Sequence, residues 1–496
     1  MRSIFIFMPY NPGDVIMALH LVPYLKVRFP DSVLDFIVGD ESLGLVKGLS
    51  GIDRILILPR RPMRSGFLEG TPINDLLPLL HAQVKPREDG PYSLGINLFQ
   101  PIFGAFLASY LGAEKKVGLF AEPGAGVKVH THWMERWMAL PAERGALPLH
   151  TVDFFRLAVD EALEERDREG HRQALDERNP WPPPNPNALF PAVECEPPIP
   201  GADRKFPKAI LHPGSAWIGK RWPIENWVAL SKALLEAGWE VAITGSQEEA
   251  GLKEAWTTDM QAGYPAQLAF YLGALDWEGM KALSARSDWL ISGDTVAMHL
   301  GAASGCRILA LFGASNPRET GPYGSRHLIW ETESSGYPPQ LALGKPHAGL
   351  KELNAGEVID FLLKGKGPVT GKLLETRLHP ELGVQVLRNK AGECEDEGIL
   401  SRWLSSYGEE PAGMDPGTRP SALEGLLQSL DRACGQPTLE NLKELELVEA
   451  AWAKESSGSF TWETYRIASN GISISPLTEH LEQRRLRLKR ALREWK

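Results

Sequence analysis

Only four cysteines occur among the 496 residues, Cys195, Cys306, Cys394 and Cys434, far apart and with no C-x-x-C pair. That spacing excludes a zinc finger and a dense disulfide framework, and it fits reduced thiols in a cytosolic protein. Long apolar runs are missing too. The longest uncharged stretch, 90–113, is interrupted by Pro91, Asn97, Gln100 and Pro101, leaving about a dozen apolar-rich residues where a membrane span needs about 20. Near the N-terminus the apolar run Ile4–Met8 gives way at once to Pro9, Asn11, Pro12 and Asp14. This reads as a β-strand and turn rather than the core of a secretion signal. Basic charge is in deficit: 53 Lys and Arg against 63 Asp and Glu leave a net charge of −10. No nucleic-acid partner is therefore expected, because phosphate neutralisation drives such binding. Glycine and proline, 48 and 39 residues, are too few for a fibrous or disordered chain.

What is present is an ordinary globular composition, 43% hydrophobic and 23% charged, in a chain long enough for two to four domains. Strands and helices alternate from the start: strand Ile4–Met8, a turn at Pro9–Asp14, a helical stretch to Phe29, strands Val33–Val38 and Ile55–Leu58. Strand Leu94–Leu98 and helix Ile102–Leu111 repeat the theme. Such alternation marks a parallel α/β domain, which a charged helix from His150 to about Arg172 closes, giving 1–178. Ten prolines between Asn179 and Lys208 are incompatible with helix or central strand, so 179–207 reads as a linker.

A second alternating block, 208–365, holds strand Ala209–Leu211, helix Glu225–Ala237 closed by Gly238, strand Trp239–Thr244 and helix Trp277–Ser287. Strands Trp289–Ser292 and Ile308–Phe312 follow. Beyond Gly365 the pattern turns helical, as in Leu423–Ala433 and Leu439–Ala453, and no strand is expected in the extension 366–496. Its last stretch, Leu477–Lys496, sets Leu481, Leu488, Leu492 and Trp495 on one face with Arg484, Arg487, Lys489, Arg490 and Arg493 around them. A basic amphipathic helix of this kind packs on its own chain or lies on an acidic membrane surface; both readings stay open.

Three strand-to-helix turns carry possible chemistry. Asn11-Pro12-Gly13-Asp14 follows the first strand at the edge where open α/β sheets bind ligands. There Asp14 either caps the helix or faces a cleft as a general base. After the first strand of the second domain comes His212-Pro-Gly-Ser215-Ala-Trp-Ile-Gly-Lys220-Arg221-Trp-Pro223. Ser215 offers a hydroxyl, and Lys220 and Arg221 offer charge for a diphosphate, although a structural loop with a solvated basic pair fits as well. It is not a Walker loop, since Arg221 stands where Ser or Thr would hold magnesium. The third turn, Ser292-Gly-Asp294-Thr295-Val296-Ala-Met-His299, opens a helix whose first amides suit a phosphate. A capping Asp294 and a core-facing His299 form its alternative reading. Gly245–Glu249 follows another strand and either places a carboxylate near a ribose or simply starts a solvated helix. The loop 313–324 lies at the same sheet edge.

Taken in order, Gly13-Asp14, His212-Pro-Gly with Lys220-Arg-Trp-Pro223, Asp294-Thr295 with Met298-His299-Leu300, and Leu311-Phe-Gly313 resemble glycosyltransferase family nine, the ADP-heptose–lipopolysaccharide heptosyltransferase family. The resemblance covers about residues 1–365 and leaves the C-terminal extension unexplained. It implies the GT-B fold, two Rossmann-like domains facing across a cleft, with acceptor bound mainly by the first and nucleotide-sugar by the second. It makes Asp14 the catalytic base and Lys220 the catalytic cation. Ser215, Lys220, Glu248, Leu275, Asp294, Thr295 and His299 become donor contacts, with Glu248 at the ribose and Leu275 at the adenine. Asn11, Gly13 and Gln100 fall on the acceptor side. Val296 stands where the family commonly has glycine, which bears on donor identity.

The expected reaction is inverting transfer of heptose from ADP-heptose to a lipid-linked, lipopolysaccharide-type saccharide. It would run in the cytoplasm at the inner membrane face, without cofactor, and no Asp-x-Asp metal motif lies near these turns. Alternatives are another nucleotide sugar, a protein acceptor, or a non-catalytic nucleotide-binding scaffold.

Overall fold

The computed structural model describes residues 2–62, 83–99, 102–122, 126–131, 149–164, 207–256, 258–332, 348–378 and 385–389, with Trp133, Met134, Trp137 and Leu189 besides. The proline-rich stretch 179–207 apart from Leu189 and Pro207, the expected helices 423–433, 439–453 and 477–496, and Gln100 lie outside the described residues.

The N-lobe is built on β1 (Ser3–Phe7), β2 (Val33–Gly39), β3 (Arg54–Leu58), β4 (Tyr92–Asn97), β5 (Ala113–Glu122) and β6 (Gly126–His130), in the order β3-β2-β1-β4-β5-β6. All neighbours pair in parallel except β5 with β6. Ile4 through Phe7 are completely buried, the continuous apolar run that a strand covered on both faces requires. Among the described residues the lobe's principal helices are α1 (Pro12–Leu19), α2 (Leu21–Arg28), α3 (Leu43–Val46), α4 (Ile102–Leu111) and α5 (Thr151–Glu164). The single helix expected up to Phe29 is thus two, parted at His20. Pro23 has no N–H to offer the carbonyl of Leu19, so the ladder breaks there.

In the C-lobe β7 (Lys208–His212), β8 (Glu240–Gly245), β9 (Leu268–Leu272), β10 (Trp289–Gly293), β11 (Arg307–Phe312) and β12 (Leu328–Glu331) form a parallel sheet. The antiparallel strands β13 (Lys372–Leu378) and β14 (Gln385–Arg388) extend it, in the order β14-β13-β12-β11-β10-β7-β8-β9. Its principal helices are α6 (Ile224–Glu236), α7 (Trp277–Ala285), α8 (Val296–Ala303) and α9 (Ala355–Lys364). Strands β13 and β14 correct the reading that no strand follows Gly365. Leu374 and Thr376 are fully buried while Arg377 is exposed, and pairing of Ile329 with Leu374 overrides the helix-forming composition of the segment.

One apolar cluster runs through both lobes, joining Ile6 and Ile16 to Met298, Phe312 and Tyr323, and α1 packs directly on α8. Polar contacts pin the seam. Trp277 Nε1 donates to the Glu41 carbonyl at 3.2 Å and buried Lys281 to those of Gly44 and Leu45 at 3.2 and 3.4 Å. Tyr323 Oη donates to Asp153 Oδ1 at 2.8 Å. In each sheet the chain leaves the first strand, β1 or β7, with neighbours on opposite sides. The loops after β1 and β4, and after β7 and β10, therefore sit at the switch points where α/β sheets bind ligands.

Candidate active site

On the N-lobe side the loop after β1 enters α1 through Asn11, the N-cap residue (φ −63°, ψ 151°), and Pro12 at the first helical position. Asp14 is therefore not the N-cap. It sits half-buried in the first turn, where Asn11 Nδ2 donates to its Oδ2 at 3.1 Å. Gly13 touches the other lobe: a Cβ there would come within 3.3 Å of His299 Cδ2. The turn carrying Asp14 thus lies against α8.

The facing loop after β7 is closed on itself. Lys220 N donates to the Trp217 carbonyl at 3.0 Å, Arg221 N to that of Ile218 at 3.0 Å, and Arg221 Nε to the Ser215 carbonyl at 2.7 Å. Lys220 Nζ then reaches Asp294 Oδ2 at 2.5 Å. Residue 293 has to be small for this approach, since a Cβ there would stand 2.8 Å from the Lys220 carbonyl oxygen. Thr320 Oγ1 also donates to Asp294, at 3.3 Å. Burial alone would raise the Asp294 pKa, but the Lys220 ammonium, then His299 and a bond from Ser315 bring it below its ordinary value. The carboxylate is charged at neutral pH and holds the Lys220 side chain against it.

Asp294 does not cap α8. The N-cap is Thr295, whose hydroxyl pairs with Ser292 Oγ at 2.8 Å and makes no capping bond to the helix. The positive end of α8 thus lies beside the Lys220 ammonium, two sources of potential suited to a diphosphate. His299, one turn on, is buried. Burial pushes its pKa down to about 4, with His150 and Lys220 adding to that and Asp294 opposing, so it is neutral at pH 7.

Among the other sequence-derived residues, Ser215 is buried in the loop and accepts from Trp217 N at 3.3 Å. Glu248 is exposed, its carboxyl held below the usual range by its own amide and the Ser246 hydroxyl. The neighbouring Glu249 closes a capping box with Ser246 and lies close enough to His212 to act on its charge. Leu275 is half-buried just before Asp276, the N-cap of α7. Sequence reading assigned no role to Trp217, Ser315 or Thr320, although the loop 313–324 does lie at this sheet edge. It also missed His20 and His150, buried beside His299. Their only signal was residue type. Among the described residues no group of three or more His, Cys, Asp or Glu is arranged to hold a metal ion.

Residues 89–341 match glycosyltransferase family 9 (heptosyltransferase). Lipopolysaccharide heptosyltransferase 2 of Escherichia coli (strain K12) is 25% identical over 361 residues, 69% of this chain and 95% of that protein. An E. coli heptosyltransferase solved with ADP superposes with a TM-score of 0.54 at 17% identity, covering 73% of this chain and 100% of that one. The family 9 glycosyl transferase of Veillonella parvula DSM 2008 gives 0.52 at 18% identity, covering 72% and 95%. These two share the GT-B arrangement of paired α/β lobes. With residues 89–341, just over half of the chain, matched to that family, the chain belongs to glycosyltransferase family 9 and is a glycosyltransferase.

Proposed function

We propose that this enzyme moves heptose from ADP-heptose to a hydroxyl of a lipopolysaccharide-type saccharide, inverting the anomeric carbon. One observation carries the reading. Gly13 lies against His299, which brings Asp14 of the N-lobe to the same seam as the Lys220–Asp294 pair and the N-terminus of α8. Asp14 accepts the proton of the acceptor hydroxyl while that oxygen bonds to the anomeric carbon. The bond from that carbon to the diphosphate breaks, and ADP departs. Lys220 and the α8 terminus meet the charge that grows on the leaving diphosphate, so the step draws its positive charge from the protein and is assigned no cofactor. Ser215 and Thr295 border the phosphates. Glu248 and Leu275, beyond β8 and β9, take the adenosine side, and Asp294 and His299 lie next to the sugar.

The relatives support donor and acceptor by name, as lipopolysaccharide heptosyltransferases and as a heptosyltransferase solved with ADP. The acceptor is proposed to be lipid-linked and met at the inner membrane face; no helix among the described residues is long and apolar enough to cross a membrane. Calorimetric titration with ADP-heptose, ADP, UDP and GDP tests the donor. Selective binding of ADP and ADP-heptose is expected. A preference for UDP or GDP would overturn the donor, and the loss of glycine at Val296 would then be the first place to look. Absence of any nucleotide binding would overturn the whole reading.

A further inference from the structure

Trp217 is 44% exposed and Ile218 beside it 39%, whereas every other described tryptophan is buried or half-buried. Exposure alone would mean little. This indole, however, belongs to the loop that the bonds at Ser215, Trp217, Ile218 and Arg221 hold in one shape, and its ring centroid is 5.3 Å from Lys220 Nζ. Side-chain exposure rises outward from Asp294 at 7% to Lys220 at 21%, and Trp217 is more exposed than either. The indole thus stands at the mouth, outside the ammonium that holds the donor diphosphate. On the N-lobe Tyr10, four residues before Asp14, is 43% exposed. Its ring is backed by Phe99 at 5.7 Å and by the Arg60 guanidinium at 5.6 Å. Each lobe therefore carries a solvent-facing aromatic ring, supported by its neighbours, in the loop that leads to its candidate reactive residue.

We propose that Trp217, with Tyr10 as its counterpart on the N-lobe, forms an acceptor subsite that stacks a sugar ring of the incoming saccharide. The inference rests on the reading that this cleft transfers a sugar to a saccharide. The donor is excluded as occupant by placement. Its diphosphate lies inward, on Lys220 and α8, and its adenosine lies toward β8 and β9, on the far side of β7 from Asp294. What is left to meet the outer indole is the second substrate. The C–H face of a pyranose complements the electron-rich face of an indole, a contact comparable to an aromatic pair.

The test uses the full chain labelled with 15N-tryptophan, the Trp217 indole resonance being identified by its loss in Trp217→Phe. Deacylated lipopolysaccharide core saccharide and ADP are the probes. The saccharide is expected to shift that resonance. In transfer assays Trp217→Ala should raise the KM for the saccharide about five- to tenfold, with ADP affinity by calorimetry within about twofold of wild type. Trp217→Phe, which keeps an aromatic face, should recover part of the loss. A resonance that ADP moves and the saccharide does not, or an ADP affinity that falls as far as the saccharide KM rises, would overturn the subsite. If the wild type binds ADP yet transfers nothing from ADP-heptose, the donor reading fails. The indole shift on adding saccharide still decides this proposal, for it if present and against it if absent.

Discussion

Acid should loosen the seam between the lobes by an amount that His20 makes calculable. His20 ends α1 and is buried; burial first, then His150 and His299, push its pKa from 6.5 down to about 3. A base depressed in the folded state binds fewer protons there than in the unfolded chain. Above 6.5 the two states are equal, and stability is lost as pH falls from 6.5 toward the folded value. At about pH 5 the unfolded histidine is protonated and the buried one is not. About 1.5 pH units at roughly 1.36 kcal/mol each give a loss of about 2 kcal/mol. Urea unfolding of wild type and His20→Gln at about pH 7.5 and about pH 5 isolates this, because other titrations cancel in the double difference. The wild type should lose about 2 kcal/mol more than the variant over that drop. Equal losses would refute the assignment of a neutral, buried His20.

Further outcomes follow from the same geometry. Lys220→Ala removes the cation nearest the proposed diphosphate and should weaken ADP binding by roughly 10- to 100-fold, the range for a charge-assisted hydrogen bond. Unchanged affinity in calorimetry would take Lys220 out of the site. Lys281→Met keeps the stem but removes the bonds from α7 to the carbonyls of Gly44 and Leu45, and should cost about 3 kcal/mol in urea unfolding. A cost below about 1 kcal/mol would show that these bonds do not hold the seam.

The alternation of strands and helices was legible because buried parallel strands such as Ile4–Phe7 are continuous apolar runs bounded by turn residues, and the runs before Asp14, Lys220 and Asp294 end at the sheet edge where α/β folds bind ligands. The break at His20 was also written in the sequence, as Pro23. Strand Lys372–Leu378 was not, because Leu, Glu and Arg favour helices and only the ladder to Leu328–Glu331 selects the extended form. At the site, residue types marked Asp14, Lys220 and Asp294. The pairing of Lys220 with Asp294, 74 residues apart, the support from Thr320, and the packing of His20 and His150 against the Tyr323 ring, at 4.9 and 4.8 Å between ring centres, arise from tertiary approach that no local pattern encodes. That Asn11 and Thr295, not Asp14 and Asp294, hold the N-cap positions depended on backbone angles invisible in the sequence.

The central claim is that Asp14 acts as the base across the seam from Lys220. It is tested most directly by comparing Asp14→Asn with wild type in single-turnover transfer from ADP-heptose while ADP affinity is followed by calorimetry. Loss of general-base catalysis predicts a rate lower by about 10²- to 10⁴-fold with ADP affinity within a few-fold. Turnover that survives unchanged, with affinity intact, would contradict the account.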